Sequence, residues 1–550
     1  MRLPPLDESA SPLSKRRAFS ERLSHGGLIE KMSGLRSGRP VRALPGHVRS
    51  RSTAFAAVLL GMVVLPLSGA ITSSSAARTA PGPGRLAARL NATRLAPIQA
   101  SEIRLSYRFL HRSAHFSYAL QRKQGASWIA LRAVTRNGNF EGTHVTTLER
   151  IFGQRAIQSG SYRLRLRADR NVVSLRFSVF AAVPVADATG VSAGGRLTCI
   201  LVGGGGVKCW GDNFDGELGN STLMNSSTPV SVRGITGAIA VNSGYKHSCA
   251  IFPAGTISCW GTNDVGELGN GTLASSSTPI SVGGLSGVVA SSSGAAHTCA
   301  LLTGGSLYCW GDNQFGELGT GALIRSRPFG ISSPVQVAAV SNAVGVSAGF
   351  LNTCALISGG SIECWGYNHD GQTGHGKANH IWPYANPSPE RVYGITNAVS
   401  ISSGAFDTCA LVAGGTVKCW GFIAATDTGS KPLLDSAIPV QAAGIKNAVS
   451  ISSGGVHNCA LIAGGTVKCW GADQFGQLGD GKLQDSAKPV TVIGIKHAVS
   501  ISSGVRHTCA VLASGAVKCW GGNDEGELGS GTLTTSSVPL SVVQPTTSRP

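Results

Sequence analysis

Residues 457–471, "HNCALIAGGTVKCWG", set two cysteines ten positions apart around a double glycine, with a tryptophan directly after the second. The runs CALI (459–462) and TVKC (466–469) flank Ala463-Gly464-Gly465, and glycines supply the positive φ that a tight hairpin turn needs. Pairing Ile462 with Thr466 places Leu461 opposite Val467, Ala460 opposite Lys468 and Cys459 opposite Cys469. Directly opposed Cβ atoms lie about 4.5–5.5 Å apart, near disulfide reach. In an oxidising compartment a bridge inside the hairpin is therefore expected. Closing so short a loop stabilises by less than the ~3 kcal/mol that a fifteen-residue loop gains from chain entropy. The bland alternative treats these cysteines as buried small hydrophobes. Trp470 alternates to the face opposite Cys469, where it can fill a wedge between packed sheets.

The pattern occurs seven times. First cysteines fall at Cys199, Cys249, Cys299, Cys354, Cys409, Cys459 and Cys509. Their mates are Cys209, Cys259, Cys309, Cys364, Cys419, Cys469 and Cys519. The step is 50 residues, stretched to 55 on either side of the fourth copy. A fixed period of that size marks a propeller or solenoid. Copy six (447–494) divides into four extended runs, AVSIS, NCALI, TVKCWG and PVTVI, which is the content of one propeller blade.

The blade pattern "SSGxxHxCAL…GGxVxCWGxNxxGELGxGT…PVxV" closely resembles the regulator of chromosome condensation repeat in its bacterial secreted form, over residues 185–543. The resemblance implies a seven-bladed β-propeller closed by the seven copies. One secreted relative is a protein inhibitor of β-lactamases, so inhibition of an enzyme enters as one form of function. Copy five departs, since "CWGFIAATDTGSKPLL" lacks GELG, and copy four carries the longer loop "HGKANHIWPYANPSPERVYG".

Outward from the repeats, the fold class is all-β, with a small β-sandwich expected before the propeller, whose ending "GSYRLRLRADRNVVSLRFSV" resembles the short immunoglobulin-like modules of secreted bacterial proteins. Residues 101–181 alternate with period two in "SEIRLSYRFL", "SYRLRLRA" and "VVSLRFSVF", the pattern of half-buried strands. Residues 71–100 are Ala/Ser/Pro/Arg-rich and read as a linker, and 544–550 as a tail. The net charge of +19 is unevenly placed: residues 1–180 hold 29 Lys/Arg against 8 Asp/Glu, and 181–550 hold 18 against 20. A near-neutral propeller carries no phosphate-tracking stripe, which argues against a nucleic-acid partner. Residues 54–70, "AFAAVLLGMVVLPLSGA", follow an Arg-rich flank and end in small residues, the parts of a secretory signal. An uncleaved anchor is the rival reading, and Met32 is an alternative start.

Little in the repeats reads as chemistry. There is no G-x-S-x-G elbow, H-E-x-x-H pair or phosphate loop. Zinc fails because Leu197, Asn352 and Asp407 replace the histidine that precedes the first cysteine of the other four copies, and no fourth ligand recurs. Calcium fails because Asp212 is followed directly by Asn213, breaking the loop register. Asn, Asp and Gly there are turn formers. The recurring histidines 247, 297, 457 and 507 are expected to satisfy loop backbone groups. No cofactor is implied.

The informative residues are those that do not repeat. In an up-and-down blade A-B-C-D, the A–B and C–D loops share one face, and the near-uniform B–C turns lie on the other. The A–B loops vary and supply Tyr245, Lys246, Phe350, Phe406 and Arg506. The C–D loops add Phe214, Phe315, Tyr367, His369, Phe475 and the insertion with Trp382 and Tyr384. Variable aromatic and charged residues on one face are what protein recognition uses.

The sequence thus reads as an exported, non-enzymatic, monomeric propeller, secreted or at the cell surface. Its partner would be a protein or a secreted enzyme, and membrane contact would come only through an N-terminal anchor. A cell-surface glycan-active enzyme is the alternative. A guanine-nucleotide-exchange regulator is opposed by the export signal and the neutral propeller. Residues 1–100 fused to a periplasm-dependent reporter should give activity that deletion of residues 58–65 abolishes; activity surviving the deletion would contradict export.

Overall fold

The computed structural model describes residues 86–90, 94–95, 104–124, 127–147, 160–168, 171–179, 182–423 and 434–545. The apolar segment 54–70 and the C–D loop stretch 424–433 of copy five, both singled out in the sequence, lie outside the described residues.

Seven four-stranded antiparallel sheets follow one another along the chain, each built from four consecutive strands in the spatial order A-B-C-D. In the sixth blade these are Ala448–Ser453, His457–Ile462, Thr466–Gly471 and Ser486–Thr491. The A strands stand innermost, each beside that of the next blade and the seventh beside the first. Ala182–Pro184 pairs antiparallel with Val543–Pro545, and the Val185 N–H donates to Val542 O at 3.0 Å. The two ends of the repeat region are thereby stitched together, and the seven-bladed propeller is closed. Each outer D strand carries a proline (Pro229, Pro279, Pro334, Pro387, Pro439, Pro489, Pro539), which removes a donor from an edge that could otherwise recruit another strand.

The middle hairpin has the register that its turn dictates: Ile462 faces Thr466, Ala460 faces Lys468 and Cys459 faces Cys469. Seven disulfides join the paired cysteines within their own blades, Cys199–Cys209 through Cys509–Cys519, with Cα atoms 4.0–4.1 Å apart. Among the described residues no cysteine is free.

The tryptophan after each second cysteine joins blades rather than strands. Trp260 of blade 2 is fully buried against Leu197, Cys199, Val207, Leu218 and Val232 of blade 1. Its Nε1–H donates to Glu217 O, in the GELG element of blade 1, at 2.9 Å. The same bond joins Trp310 to Glu267, Trp365 to Glu317, Trp420 to Gln372 and Trp520 to Gln477 at 2.7–2.9 Å. Trp210 to Glu527, 2.7 Å, closes the circle. At about 25 cal/mol per Å2 and 150–250 Å2 per aromatic side chain, each indole contributes at most about 4–6 kcal/mol of transfer free energy.

The GELG element is shaped to receive that indole. Asn213 Oδ1 accepts the Leu218 N–H (2.9 Å), while its Nδ2 donates to Thr222 O and Met224 O (3.0 Å each). Gly219, at φ 62°, lies flat on the indole, and a Cβ there would stand 2.8 Å from Trp260 Cδ1 and Nε1.

Ahead of the propeller, the strands Leu86–Leu90, Arg94–Leu95, Arg104–Gln124, Ser127–Thr147, Gly160–Ala168 and Asn171–Val179 form one six-stranded sheet. Phe116, Leu120, Leu164 and Leu166 are buried there. The sheet begins inside the stretch 71–100 that composition marks as a linker. Leu86–Leu90 pairs with residues 105–109, a long-range partner that local composition does not reveal.

Gly219→Ala and Gly234→Ala compare two costs. Both residues have positive φ, but nothing lies within 4 Å of a Cβ at Gly234. Both should lose about 1 kcal/mol to the strain of a Cβ at positive φ, and Gly219→Ala a further ~1–3 kcal/mol from overpacking. Thermal unfolding should place the Gly219 variant several degrees lower; equal losses would contradict the indole seat.

Candidate functional site

The structure shows which loops share a face. Arg196, on the A–B loop of blade 1, lies 3.6 Å from Glu525 on the C–D loop of blade 7 and 4.0 Å from Asp212 on its own C–D loop. Arg506, on the A–B loop of blade 7, pairs with Asp524 at 3.4 Å and stands over the Phe475 ring at 4.3 Å. On the other side, B–C turns meet the connections between blades, as where the Ala238 N–H donates to Gly205 O (2.9 Å). The A–B and C–D loops therefore form one face.

At its centre the A–B loops are tied by backbone hydrogen bonds that run once around the ring. The N–H groups of Gly195, Tyr245, Ala295, Phe350, Ala405, Gly455 and Val505 each donate to a carbonyl of the next blade's A–B loop, at 3.0–3.3 Å. One layer below, Ser243, Ala348, Ser403, Ser453, Ser503 and Ala193 donate their N–H groups to serine hydroxyls of the preceding blade at 2.8–2.9 Å. The axial opening, about 190 Å3, is lined by these Ser, Gly and Ala residues with Asn242, Tyr245, Phe350 and Val505, and by no charged side chain.

The residues singled out in the sequence occupy three places. Tyr245 is buried at 7% exposure, packed edge-on to Phe350 with centroids 5.4 Å apart. It fills space above Gly195, so it supports Phe350 rather than protruding. Lys246, Phe350 and Phe406 are half-exposed around the opening. Arg506 lies over Phe475, among the carboxylates of blades 7 and 1. Trp382 and Tyr384 sit on the C–D loop of blade 4, where Trp382 is 61% exposed and packs on Tyr384 at 5.5 Å. Ile381 (80% exposed) and Phe214 (75%) are more exposed still. The sequence signal for Ile381 was its place beside Trp382 in the inserted loop.

The recurring histidines do something other than hold loop backbone. His247, His297, His457 and His507 bond through Nε2 to Thr298, Thr353, Thr508 and Thr198 of the next blade at 2.8–2.9 Å. Each threonine hydroxyl in turn donates to the GELG-element carbonyl that receives the tryptophan, Glu267, Glu317, Gln477 and Glu527 respectively, at 2.9–3.2 Å. The hydroxyl must then accept from the imidazole, which assigns the proton to Nε2. Burial lowers these histidines to about 4, 3, 3 and 4, so they stay neutral. Among the described residues, no three His, Cys, Asp or Glu are grouped to hold a metal ion.

The GELG carboxyls are also buried. Each accepts an N–H two residues back, as Glu217 does from Asp215 (2.8 Å) and Glu267 from Val265 (3.0 Å). Gln372 and Gln477 make the same bond at 3.0 and 2.9 Å. A neutral amide therefore suits the position. Burial, with Asp212 adding repulsion, pushes Glu217 up to about 8. Burial likewise raises Glu267 to about 8 and Glu527 to about 7, and holds Glu317 well above the ordinary range.

Among known families, the one described as RCC1-like domain matches residues 159–504, and the regulator of chromosome condensation (RCC1) repeat matches residues 498–527. Human WBSCR16 is similar in structure, with a TM-score of 0.53, 19% identity, and coverage of 72% of this chain and 98% of that one. So is Prp20p of Saccharomyces cerevisiae, studied for its binding to Gsp1p and histones, with a TM-score of 0.50, 22% identity, and coverage of 57% and 80%. No curated protein matches in sequence.

These buried groups set the pH dependence of folding. The glutamates, raised in the folded state, contribute stability that is full below their unfolded value near 4.5 and is lost as pH rises toward about 8. The histidines, depressed, contribute stability that is full above 6.5 and is lost as pH falls toward about 4. The slopes oppose between 4.5 and 6.5, so thermal unfolding should show a plateau there with falling limbs on both sides. Replacing Glu217, Glu267, Glu317 and Glu527 by Gln should flatten the alkaline limb and leave stability rising with pH between 4.5 and 6.5; an unchanged alkaline limb would contradict the assignment.

Proposed function

This chain belongs to the RCC1-like domain family, and on that footing we propose that it is an exported, non-enzymatic propeller that binds a protein partner through its A–B and C–D loop face. The observation that carries the reading is the contrast between the two faces. The B–C side presents short turns that are near-uniform in Gly, Ala, Ser and Thr apart from Phe252-Pro253 of blade 2. It also carries a band of exposed valines that repeats from blade to blade (Val289, Val344, Val399, Val449 and Val499). The loop side presents exposed Phe214, Ile381 and Trp382, half-exposed Phe350 and Phe406, and charges that differ from blade to blade.

Rigidity supports the same reading. The loops hang on buried indoles and on a closed ring of backbone bonds, so little ordering entropy opposes association. The recurrent carboxyls and imidazoles brace these loops from inside and are buried away from the face, which commits them to structure rather than to proton transfer at the surface. Seven disulfides suit an extracellular protein, and export by residues 54–70 accounts for the oxidising compartment they need. Within the family's fold, Prp20p provides an instance of protein binding. Inhibition of a secreted or wall-bound enzyme is the form of binding we favour. The segment 101–181, expected from the sequence to be a small sandwich and found as part of one six-stranded sheet that begins at Leu86, acts as a spacer.

With a partner identified by capture from the producing cell's surface and medium, Phe350→Ala or Phe406→Ala should weaken binding by about 2 kcal/mol, about thirtyfold. Ser358→Ala and Ala413→Ser, on exposed B–C turns, should leave it unchanged. Loss confined to the turn variants would reverse the assignment of faces.

A further inference from the structure

We infer that the C–D loops of blades 3 and 4 together form the docking edge of the loop face, and that they fit an acidic protein surface with an apolar recess. This rests on the protein-binding reading above and adds where on the face binding occurs and what chemistry the partner brings.

The edge is an aromatic assembly drawn from two blades. Phe315 of blade 3, buried at 4% exposure, packs edge-on to Tyr367 (5.2 Å) and Trp382 (6.0 Å) of blade 4. Tyr384 meets Tyr367 at 6.1 Å, Trp382 at 5.5 Å and His369 at 5.0 Å. The inserted loop is pinned at its base. The Asn368 N–H donates to Tyr384 O (2.7 Å), the Asn379 N–H to Asn368 O (2.8 Å) and the Tyr384 N–H to Ile381 O (2.7 Å). Asn368 Nδ2 donates to Lys377 O at 2.9 Å. On this fixed base Ile381 and Trp382 project to solvent, a large apolar area already held in one conformation. Such anchors carry most of the energy of protein interfaces. An isoleucine as the most exposed side chain of the tip suits an apolar protein recess better than a glycan, whose recognition would use an open aromatic face with polar neighbours.

Charge identifies the partner. The exposed charged side chains of these two loops are Arg325, Arg327 and Lys377. The carboxylates of the loops are withdrawn or engaged: Glu317 is fully buried, and Asp370, at 8% exposure, is met by His369 at 2.8 Å. Half-buried Asp312 accepts the Gln314 N–H at 3.0 Å, while Glu390 of the adjoining D strand faces His375 at 3.6 Å. Blades 1, 2 and 7 are the reverse, with Asp215, Asp264, Asp524 and Glu525 at least partly exposed on their C–D loops and no Lys or Arg there. The C–D loops are thus divided into an acidic arc, whose Glu525 and Asp524 are met by Arg196 and Arg506 of the A–B loops, and a cationic, aromatic arc. A partner seated on Ile381 and Trp382 meets cations around the apolar contact, so carboxylates flanking its recess give the complementary field.

The full secreted chain, immobilised, is used to select from a displayed library of random peptides. Enriched peptides should combine Asp or Glu with Leu, Ile or Phe, and their affinity should fall as salt rises. Ile381→Ala or Trp382→Ala should cost tenfold or more, and Arg325→Glu with Lys377→Glu at least threefold, in chains whose thermal unfolding midpoint is unchanged. Ala274→Ser, on the exposed C–D loop of blade 2, should cost nothing. Neutral or basic peptides, no enrichment over the Trp382→Ala chain, or equal displacement by dextran sulfate, a polyanion without apolar side groups, would overturn the docking edge. If Phe350→Ala or Lys246→Ala abolishes peptide binding while Trp382→Ala does not, the loop-face reading stands and this edge falls. Sensitivity to B–C turn variants alone would remove both.

Discussion

One contact recurs around the molecule and everything else is arranged about it: an indole of one blade, buried in the core of the blade before it, donates to a backbone carbonyl of that blade's C–D loop. The bond between Trp260 and Glu217 O is the simplest statement of it. A buried carbonyl without a donor is costly, and an indole N–H in a core needs an acceptor. Each satisfies the other only when neighbouring blades are seated at one angle. The Gly219 seat and the Asn213 clamp then follow as requirements on the loop. So does the histidine–threonine bridge, which brings a second donor to the same carbonyl. Six such seats are present among the described residues, and the strands Ala182–Pro184 and Val543–Pro545 fasten the ends of the ring.

That arrangement explains how irregular loops can serve as a recognition surface. A C–D loop here is anchored from beneath by a carbonyl, a leucine and a buried carboxyl or amide, while its tip is left to vary. Blades 3 and 4 use that freedom to gather Phe315, Tyr367, Trp382 and Tyr384 into one assembly. Blades 7 and 1 use it to place Arg196 and Arg506 among carboxylates. The disulfides cross-link each hairpin locally and make no covalent link between blades, although Cys199 lines the core that receives Trp260. Cystines hold strands B and C together, and tryptophans hold blades together.

Much of this was legible in the sequence because it depends on local spacing. The Ala463-Gly464-Gly465 turn fixes the pairing of Cys459 with Cys469, and strand alternation then sends Trp470 to the other face. The loop parity followed from the same counting. Relations between copies were hidden. His457 meets Thr508, a full repeat away, and nothing in either copy alone points to the other. Tyr245 reads as an exposed aromatic, yet the absence of a side chain at Gly195 in the neighbouring blade lets it sink. The burial of Glu217 was likewise invisible, although Gln372 and Gln477 at equivalent positions were a signal that the site favours a neutral group. Phe315 and Trp382 belong to different repeats, and only the closed ring brings them together.

The central claim is that the C–D loops, despite their lack of regular structure, are as firmly fixed as the strands. Hydrogen–deuterium exchange of the full chain tests it at the amides of Leu218, Leu268, Leu318, Thr373, Leu478 and Leu528. Each of these donates to a side-chain Oδ1 at 2.8–3.1 Å beneath an indole. The account predicts protection equal to that of the B strands, with the loop tips around Phe214 and Lys377 exchanging far faster. Exchange of the six buried amides at the rate of the tips would show that the loops move independently of the core, and would contradict it.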